Sequence, residues 1–217
     1  MAEIAVILLA AGESRRMGAT NKLLLPVDGE PLVRRTARIL VSLASVRVTA
    51  VLGHDAKEVA SALSGLDVML TVNSDFAKGQ RSSVHHGIIH AGEADSYMVV
   101  PADLPRLTSA NCYALIASHA AAPNGAVTVP SRGGQDGPER GNPIMLSSIA
   151  RDAVVAGGIK LGCRGLLDRQ PNLIHTHTTL SDGFFVDIDT PDTYIAETGS
   201  PLPAPTTSWP RHLHPTE

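Results

Sequence analysis

The run Ile4-Ala5-Val6-Ile7-Leu8-Leu9 contains no polar residue and breaks at once into Ala10-Ala11-Gly12. A strand with one wet face alternates polar and apolar residues, whereas one covered on both faces reads as an unbroken apolar run. The sequence therefore predicts a central strand between two layers of helices. Further on, β-rich runs at residues 46–52, 68–72, 97–100, 126–129, 173–178 and 184–188 alternate with helical stretches, the pattern of an α/β fold with a mainly parallel sheet. Pro31 opens a helix in which Val33, Ala37, Leu40, Val41 and Ala44 share a face. Asp55 reads as the cap of a short helix, with Glu58 at the capping-box position and Gly65 at its end. A third helix carries Val84, Gly87, Ile88 and Ala91 on one side. Thr108 caps a fourth, residues 148–155 and 162–168 give two more, and Thr190-Pro191 starts the last. Residues 131–142 read as a long polar loop.

The chain of 217 residues is long enough for one domain with its own core, expected over residues 1–198. Five prolines in the polar stretch 199–217 predict a disordered tail outside the fold. Aromatic residues at 3% and a net charge of −3 leave neither a stacking surface nor a basic footprint for nucleic acid. Cys112 and Cys163 are far apart and form no CxxC pair, which favours a reducing compartment. The first apolar stretch is only a strand long and has no basic leader, and nothing approaches the ~20 apolar residues of a membrane helix. A cytoplasmic protein with no membrane partner is expected.

The segment after the first strand, Leu9-Ala10-Ala11-Gly12-Glu13-Ser14-Arg15-Arg16-Met17-Gly18, puts small residues at a strand's carboxyl end, where ligands bind in open α/β sheets. Small residues let backbone N–H groups approach phosphate oxygens. Arg15 or Arg16, with Lys22 downstream, supplies the positive charge a triphosphate needs. The loop is neither GxxxxGK[ST] nor GxGxxG, which disfavours a P-loop kinase and a dinucleotide dehydrogenase. From Leu8 to Pro31 the chain reads LLAAGESRRMGATNKLLLPVDGEP. This resembles the signature LAAGxSxRMGxxNKLLxPxxGxP of the nucleotidyltransferase superfamily that includes the molybdenum cofactor guanylyl- and cytidylyltransferases. The resemblance extends from Ile4 to Tyr194. It implies a Rossmann-like three-layer sandwich of the nucleotide-diphospho-sugar transferase type, with Leu9, Ala10, Ala11 and Gly12 binding the nucleotide. The Ala10-Ala11-Gly12 form resembles the cytidylyltransferase branch and implies CTP over GTP.

Lys78-Gly79-Gln80-Arg81-Ser82-Ser83 leads into a helix, where serine hydroxyls and free backbone donors suit a ligand or a simple N-cap. Gln80 both donates and accepts, as the edge of a pyrimidine requires. The segment resembles the family's GQxxS loop, which implies contact of Gln80, Ser82 and Ser83 with base and ribose. Asp103, in Pro-Ala-Asp-Leu-Pro after an apolar strand, is well placed to hold Mg²⁺, which takes one or two carboxylates plus phosphate oxygens. It resembles the family's Asp-Met-Pro element with leucine for methionine. Arg140-Gly141-Asn142-Pro143 resembles the RGNP element, implying that Arg140 and Asn142 contact an acceptor pterin. Arg140 offers a planar fork for a phosphate and Asn142 suits a heterocycle edge.

Val186-Asp187-Ile188-Asp189-Thr190-Pro191 resembles the DIDTPED element. Strand alternation would send Asp187 and Asp189 to one side, and Asp189 is the favoured second metal ligand. Gly162-Cys163-Arg164 resembles the end of Gly-Asp-x-Gly-Ala-Arg, but Ile159-Lys160 replaces Gly-Asp. Together these imply transfer of CMP from CTP to molybdopterin carrying molybdenum, with Arg16, Lys22 and Asp103 as the catalytic residues and a molybdoenzyme as a possible recipient. A sugar phosphate or other phosphorylated acceptor remains open at this stage. So does a carrier that binds the cofactor without chemistry.

Overall fold

The structure, a computed structural model, describes residues 3–134, 137–157 and 162–203. In chain order the elements are β1 (Ile4–Ala10), β2 (Pro26–Val27), β3 (Glu30–Pro31), α1 (Leu32–Val41), β4 (Val46–Leu52), α2 (Ala56–Ala62), β5 (Met69–Val72), α3 (Gln80–His90), β6 (Ser96–Pro101) and α4 (Ser109–Ala120). There follow β7 (Val127–Gly134), β8 (Gly137–Arg140), β9 (Ile144–Ser147), α5 (Ser148–Gly157), α6 (Gly162–Arg169), β10 (Ile174–Thr178) and α7 (Pro191–Thr198). The main sheet runs β10-β7-β9-β6-β1-β4-β5, with β8 paired to β7. Neighbours are parallel except at β9, which runs against both β6 and β7, and at the β7–β8 hairpin.

Every residue of β1 is buried, as the unbroken apolar run requires. Its side chains alternate between two cores. Ile4, Val6, Leu8 and Ala10 pack with Val33, Ala37 and Leu40 of α1, Val59 of α2, and Cys112 and Leu115 of α4. Ala5, Ile7 and Leu9 pack with Val84 and Ile88 of α3, Val154 of α5 and Leu166 of α6. The result is a sheet between two helical layers. A third cluster joins Met17, Leu25, Val27 and Leu32 to Ile188 and Tyr194, with Leu202 packed against it. Tyr194 Oη donates to the Pro26 carbonyl at 3.0 Å and pins α7 beneath the β2–β3 hairpin. Residues 204–217, most of the stretch read as a tail, lie outside the described residues.

Several expectations are corrected. Residues 184–188 form no strand: Asp182–Phe184 is a 3₁₀ turn, and the Val186 N–H donates to the Asp182 carbonyl at 3.0 Å. Phe184 and Ile188 are buried, but in different clusters, so this apolar run feeds two cores. Residues 131–134 and 137–140 belong to β7 and β8, a hairpin exposed from Gly133 onward, whose polar composition there reflects solvent and not irregular backbone. Asp55 does not cap α2 with its side chain; it sits at φ 50°, and its carboxylate accepts from Asn21 Nδ2 at 3.2 Å. That helix ends at Ala62, before Gly65. On the α1 side, buried Leu43 takes the place expected for Ala44, which is exposed. Thr108 and Thr190 do head their helices with full capping boxes. Among the described residues no helix is long and apolar enough to cross a membrane.

Candidate active site

Strands β1, β4 and β6 are parallel and end at one edge of the sheet, where a cleft of about 700 Å³ opens. Its first wall is the loop after β1. Ser14 turns this loop at φ 51°; its carbonyl accepts from the Met17 N–H at 2.7 Å and its Oγ from the Lys22 N–H at 3.2 Å. The loop thus folds back with Arg16 and Lys22 lining the cleft. A Cβ built on Gly12 would meet no atom within 4 Å, so bare backbone is open to a ligand there. Arg15 also lines the cleft but pairs with Glu13 at 2.7 Å.

Opposite stand three carboxylates. Asp103 follows β6, and the Ile188 N–H donates to its carbonyl at 3.0 Å, drawing residues 187–189 alongside. Asp187 and Asp189 share a side here because of that bond and the capped start of α7, without a strand. One oxygen each from Asp103, Asp187 and Asp189 lie within 4.8 Å of one another. Lys22 Nζ stands 2.5 Å from Asp103 and 2.6 Å from Asp189, and Arg16 reaches Asp189 at 2.5 Å. Burial by itself disfavours the Lys22 ammonium, but Asp103 and then Asp189 outweigh it and hold its pKa above the ordinary value. Burial likewise works against ionised Asp189, and Lys22 with Arg16 reverses this and holds its carboxyl below the usual range. Asp187 goes the other way: burial, then the charges of Asp189 and Asp103, raise it, and Lys22 and Arg16 offset only part of that.

Three carboxylates facing two cations leave negative charge to be matched. Asp103 Oδ1 is buried with no hydrogen-bond partner. A set of hard oxygen donors with one orphaned buried oxygen fits a divalent cation such as Mg²⁺. Asp187, the less favoured of the two carboxylates in the sequence, joins the same cluster, and its two-residue spacing from Asp189 was the signal for it.

On a second wall Gln80 lies at the exposed start of α3, and Ser83 lines the cleft while its Oγ accepts from Asn73 Nδ2 at 3.1 Å. Ser82 does not reach the cleft. Its buried hydroxyl accepts from Asn73 and donates toward the Asp75 and Gly79 carbonyls, closing the loop that precedes the helix. Ala10 is also absent from the site, because β1 alternation turns it into the opposite core from Leu9 and Ala11. The buried loop hub Asn73 and the wall residue Phe76 were not singled out from sequence; nothing local marks either.

The remaining wall carries Arg140, Gly141 and Asn142 together with Phe184 and Phe185. The Asn142 N–H donates to the Phe184 carbonyl and the Gly141 N–H to that of Pro130, both at 2.8 Å. Arg140 pairs loosely with Asp168 of α6 at 3.7 Å. Ile159-Lys160, the departure noted near the acceptor elements, lies outside the described residues. Leu9, Ala11, Gly12, Arg16, Lys22, Gln80, Ser83, Asp103, Arg140, Asn142 and Asp189 therefore meet around one cleft.

Residues 6–176 match the family model of the MobA-like NTP transferase domain. Nicotine blue oxidoreductase of Paenarthrobacter nicotinovorans is 29% identical over 190 residues, 85% of this chain and 91% of that protein. Bifunctional protein GlmU of Micrococcus luteus is 30% identical over 193 residues, 83% of this chain, but the chain spans only 35% of that protein's length. A nucleotidyl transferase from Methanothermobacter thermautotroptrophicus shares the fold with a TM-score of 0.75 at 21% identity, covering 91% of this chain and 96% of that one.

Proposed function

The chain belongs to the MobA-like NTP transferase family, and on that premise we propose that it transfers CMP from CTP to a molybdopterin-type acceptor and releases pyrophosphate. The observation that carries this reading is the meeting of an open phosphate loop, two cations and three carboxylates at one sheet edge. The family takes a nucleoside triphosphate; the choice of CTP rests on Ala10-Ala11-Gly12, and the choice of acceptor on Arg140-Gly141-Asn142-Pro143.

In this reaction an acceptor phosphate oxygen forms a bond to the α-phosphorus, the bond from that phosphorus to the bridging oxygen breaks, and pyrophosphate leaves with the electron pair. Both reactants are anions, so the main task of the protein is to offset charge and hold them in line. Backbone N–H groups at Ala11 and Gly12 cradle the phosphates. Lys22 and Arg16 balance charge on the departing pyrophosphate. Asp103, Asp187 and Asp189 are the residues that would hold Mg²⁺, which when bound neutralises phosphate oxygens. Gln80 and Ser83 address base and ribose, while Arg140 and Asn142 receive the acceptor. No general base is needed, because a phosphate is already ionised at neutral pH. A cytoplasmic setting agrees with the two free buried thiols, Cys112 and Cys163; a molybdoenzyme is the natural recipient of the product.

The test is incubation with each of the common nucleoside triphosphates, Mg²⁺ and molybdenum cofactor, followed by mass analysis. The expected result is the cytosine dinucleotide form with one equivalent of pyrophosphate. If a sugar phosphate replaces the cofactor as acceptor, the acceptor assignment fails. Thermal stabilisation by a nicotinamide dinucleotide, and by no triphosphate, would defeat the whole reading. That outcome would align the chain with the redox name of its 29% relative. No stabilisation by any nucleotide would point to a carrier.

A further inference from the structure

Aromatic residues are scarce in this chain, yet its three phenylalanines, Phe76, Phe184 and Phe185, all stand on the cleft wall. Phe184 is buried and meets His177 edge-on, with ring centroids 5.5 Å apart. Phe185 is different: only half-buried, it carries the Arg132 guanidinium 4.2 Å above its ring centre. Arg132 is itself fixed from two directions, by Glu139 across the hairpin at 2.6 Å and by Asp182 at 3.0 Å. Asp182 also accepts from Arg106 at 2.8 Å, and Arg106 reaches Glu197 of α7 at 2.7 and 3.0 Å.

Exposed ion pairs of this kind add little stability one by one, but a network sets geometry. A Cβ on Gly141 would lie 2.5 Å from the Phe184 carbonyl oxygen and 3.0 Å from Phe185 Cε1, so only a residue without a side chain fits beside the ring edge. Phe185 also meets Phe184 edge-on, with ring centroids 6.4 Å apart, and the part of its ring that lines the cleft is the part a flat partner can reach.

We propose that Phe185 is the binding residue for a flat conjugated ring in the acceptor, and that Arg132 is the positioning residue that sets its plane. The cleft thereby selects heterocyclic phosphates over sugar phosphates. The inference rests on the nucleotidyl-transfer reading for its place in the reaction, but it is tested without nucleotide.

Full-length protein is titrated into a fluorescent free pterin, pterin-6-carboxylate, and quenching is followed; glucose 1-phosphate is the competitor. Wild type quenches, and the sugar phosphate does not displace the pterin. Phe185→Leu weakens pterin binding by roughly 5- to 150-fold, the range for loss of one stacking partner. Phe185→Tyr, which keeps the ring, binds like wild type. Arg132→Met weakens the pterin and raises the acceptor KM while leaving kcat and the CTP-induced thermal shift in place; Arg132→Lys, which keeps the charge but not the planar fork, recovers part of the loss. Unchanged pterin affinity in Phe185→Leu overturns the proposal, as does a wild type that does not quench. An Arg132→Met protein that loses its CTP shift along with the pterin shows a structural role only and overturns the positioning assignment. A wild type that binds pterin but no nucleotide leaves Phe185 standing and removes nucleotidyl transfer instead.

Discussion

Gly53, the residue after β4, separates two pieces of the cleft, and replacing it with alanine should harm both folding and nucleotide handling. A Cβ there would lie 2.7 Å from Phe76 Cβ, 2.8 Å from Phe76 Cγ and 2.8 Å from Ala11 Cβ, against ordinary carbon contacts of about 3.5–4.0 Å. Moving one neighbour does not relieve the other, so the new methyl needs about 1 Å of room on both sides. Ala11 is the stiffer of the two: it is buried at the end of β1, and its carbonyl accepts from the His54 N–H at 3.3 Å. Phe76 rides on the 3₁₀ turn Phe76–Lys78, in which no residue is buried. The turn therefore moves and takes Gly79 and Gln80 with it. Overpacking costs about 1–3 kcal/mol. For a chain of this size each kcal/mol lowers the Tm by about 2–4 °C. A misplacement of about 1 Å near reacting groups can cost on the order of 10²-fold in rate. Calorimetry alongside steady-state kinetics in CTP should show that Tm loss together with a drop in kcat/KM of more than about tenfold. An unchanged Tm would refute the packing argument, and an unchanged kcat/KM would remove Phe76 and Gln80 from the nucleotide wall.

Asp103→Asn keeps the side chain's shape but removes its charge. Turnover should fall by about 10²–10³-fold and Mn²⁺ binding, followed by electron paramagnetic resonance, should weaken; full Mg²⁺-dependent turnover would exclude Asp103 as a ligand. Lys22→Met should lower stability by about 1–3 kcal/mol at neutral pH, since it strips partners from half-buried carboxylates. Asp189 has its pKa held down in the fold, so its share is present above ~3.9 and is lost as pH falls through the depressed value. Lys22 has its pKa held up, so its share is complete below ~10.4 and is lost as pH rises through the raised value. The Tm gap between wild type and Lys22→Met should accordingly be flat from about pH 5 to 9 and close toward acid; a gap that widens toward pH 3 would contradict the pairing. Burial pushes the Cys112 and Cys163 thiols up to about 12, so a thiol reagent at pH 8 should label neither in the native protein and both in denaturant; rapid native labelling of either would mean that its core is not packed as described.

What the sequence made legible was whatever is local or strictly periodic. The doubly buried β1 follows from one apolar run, and the helix starts at Thr108 and Thr190 follow from short-range capping chemistry. Asp55 shows the limit of that chemistry: the same residue type before a helix took a left-handed backbone and gave its carboxylate to distant Asn21. The meeting of the loop after β1, Asp103 and Asp189 around one cleft was readable because each lies in a short contiguous motif. Ala10 could have been excluded by period two alone, since it points away from Leu9 and Ala11. The parts that escaped are tertiary. Asn73 matters because two serines of α3 converge on it. Gly53 matters because Phe76 and Ala11 close over it, and Arg132 because Phe185 arrives from some fifty residues downstream.

The reversed direction of β9 has a geometric outcome that an all-parallel sheet would lack. In a parallel crossover the connecting segment leaves one end of the sheet and must return to the opposite end before the next strand begins. Here β9 starts at Ile144 opposite Val99, near the finish of β6, so the excursion that leaves β7 comes home to the same rim it departed from. Its return leg, Arg140, Gly141 and Asn142, lines the cleft. Exchanges within that excursion can thus reshape this wall of the cleft without shifting the register of any parallel pair, while the loop after β1 keeps its form.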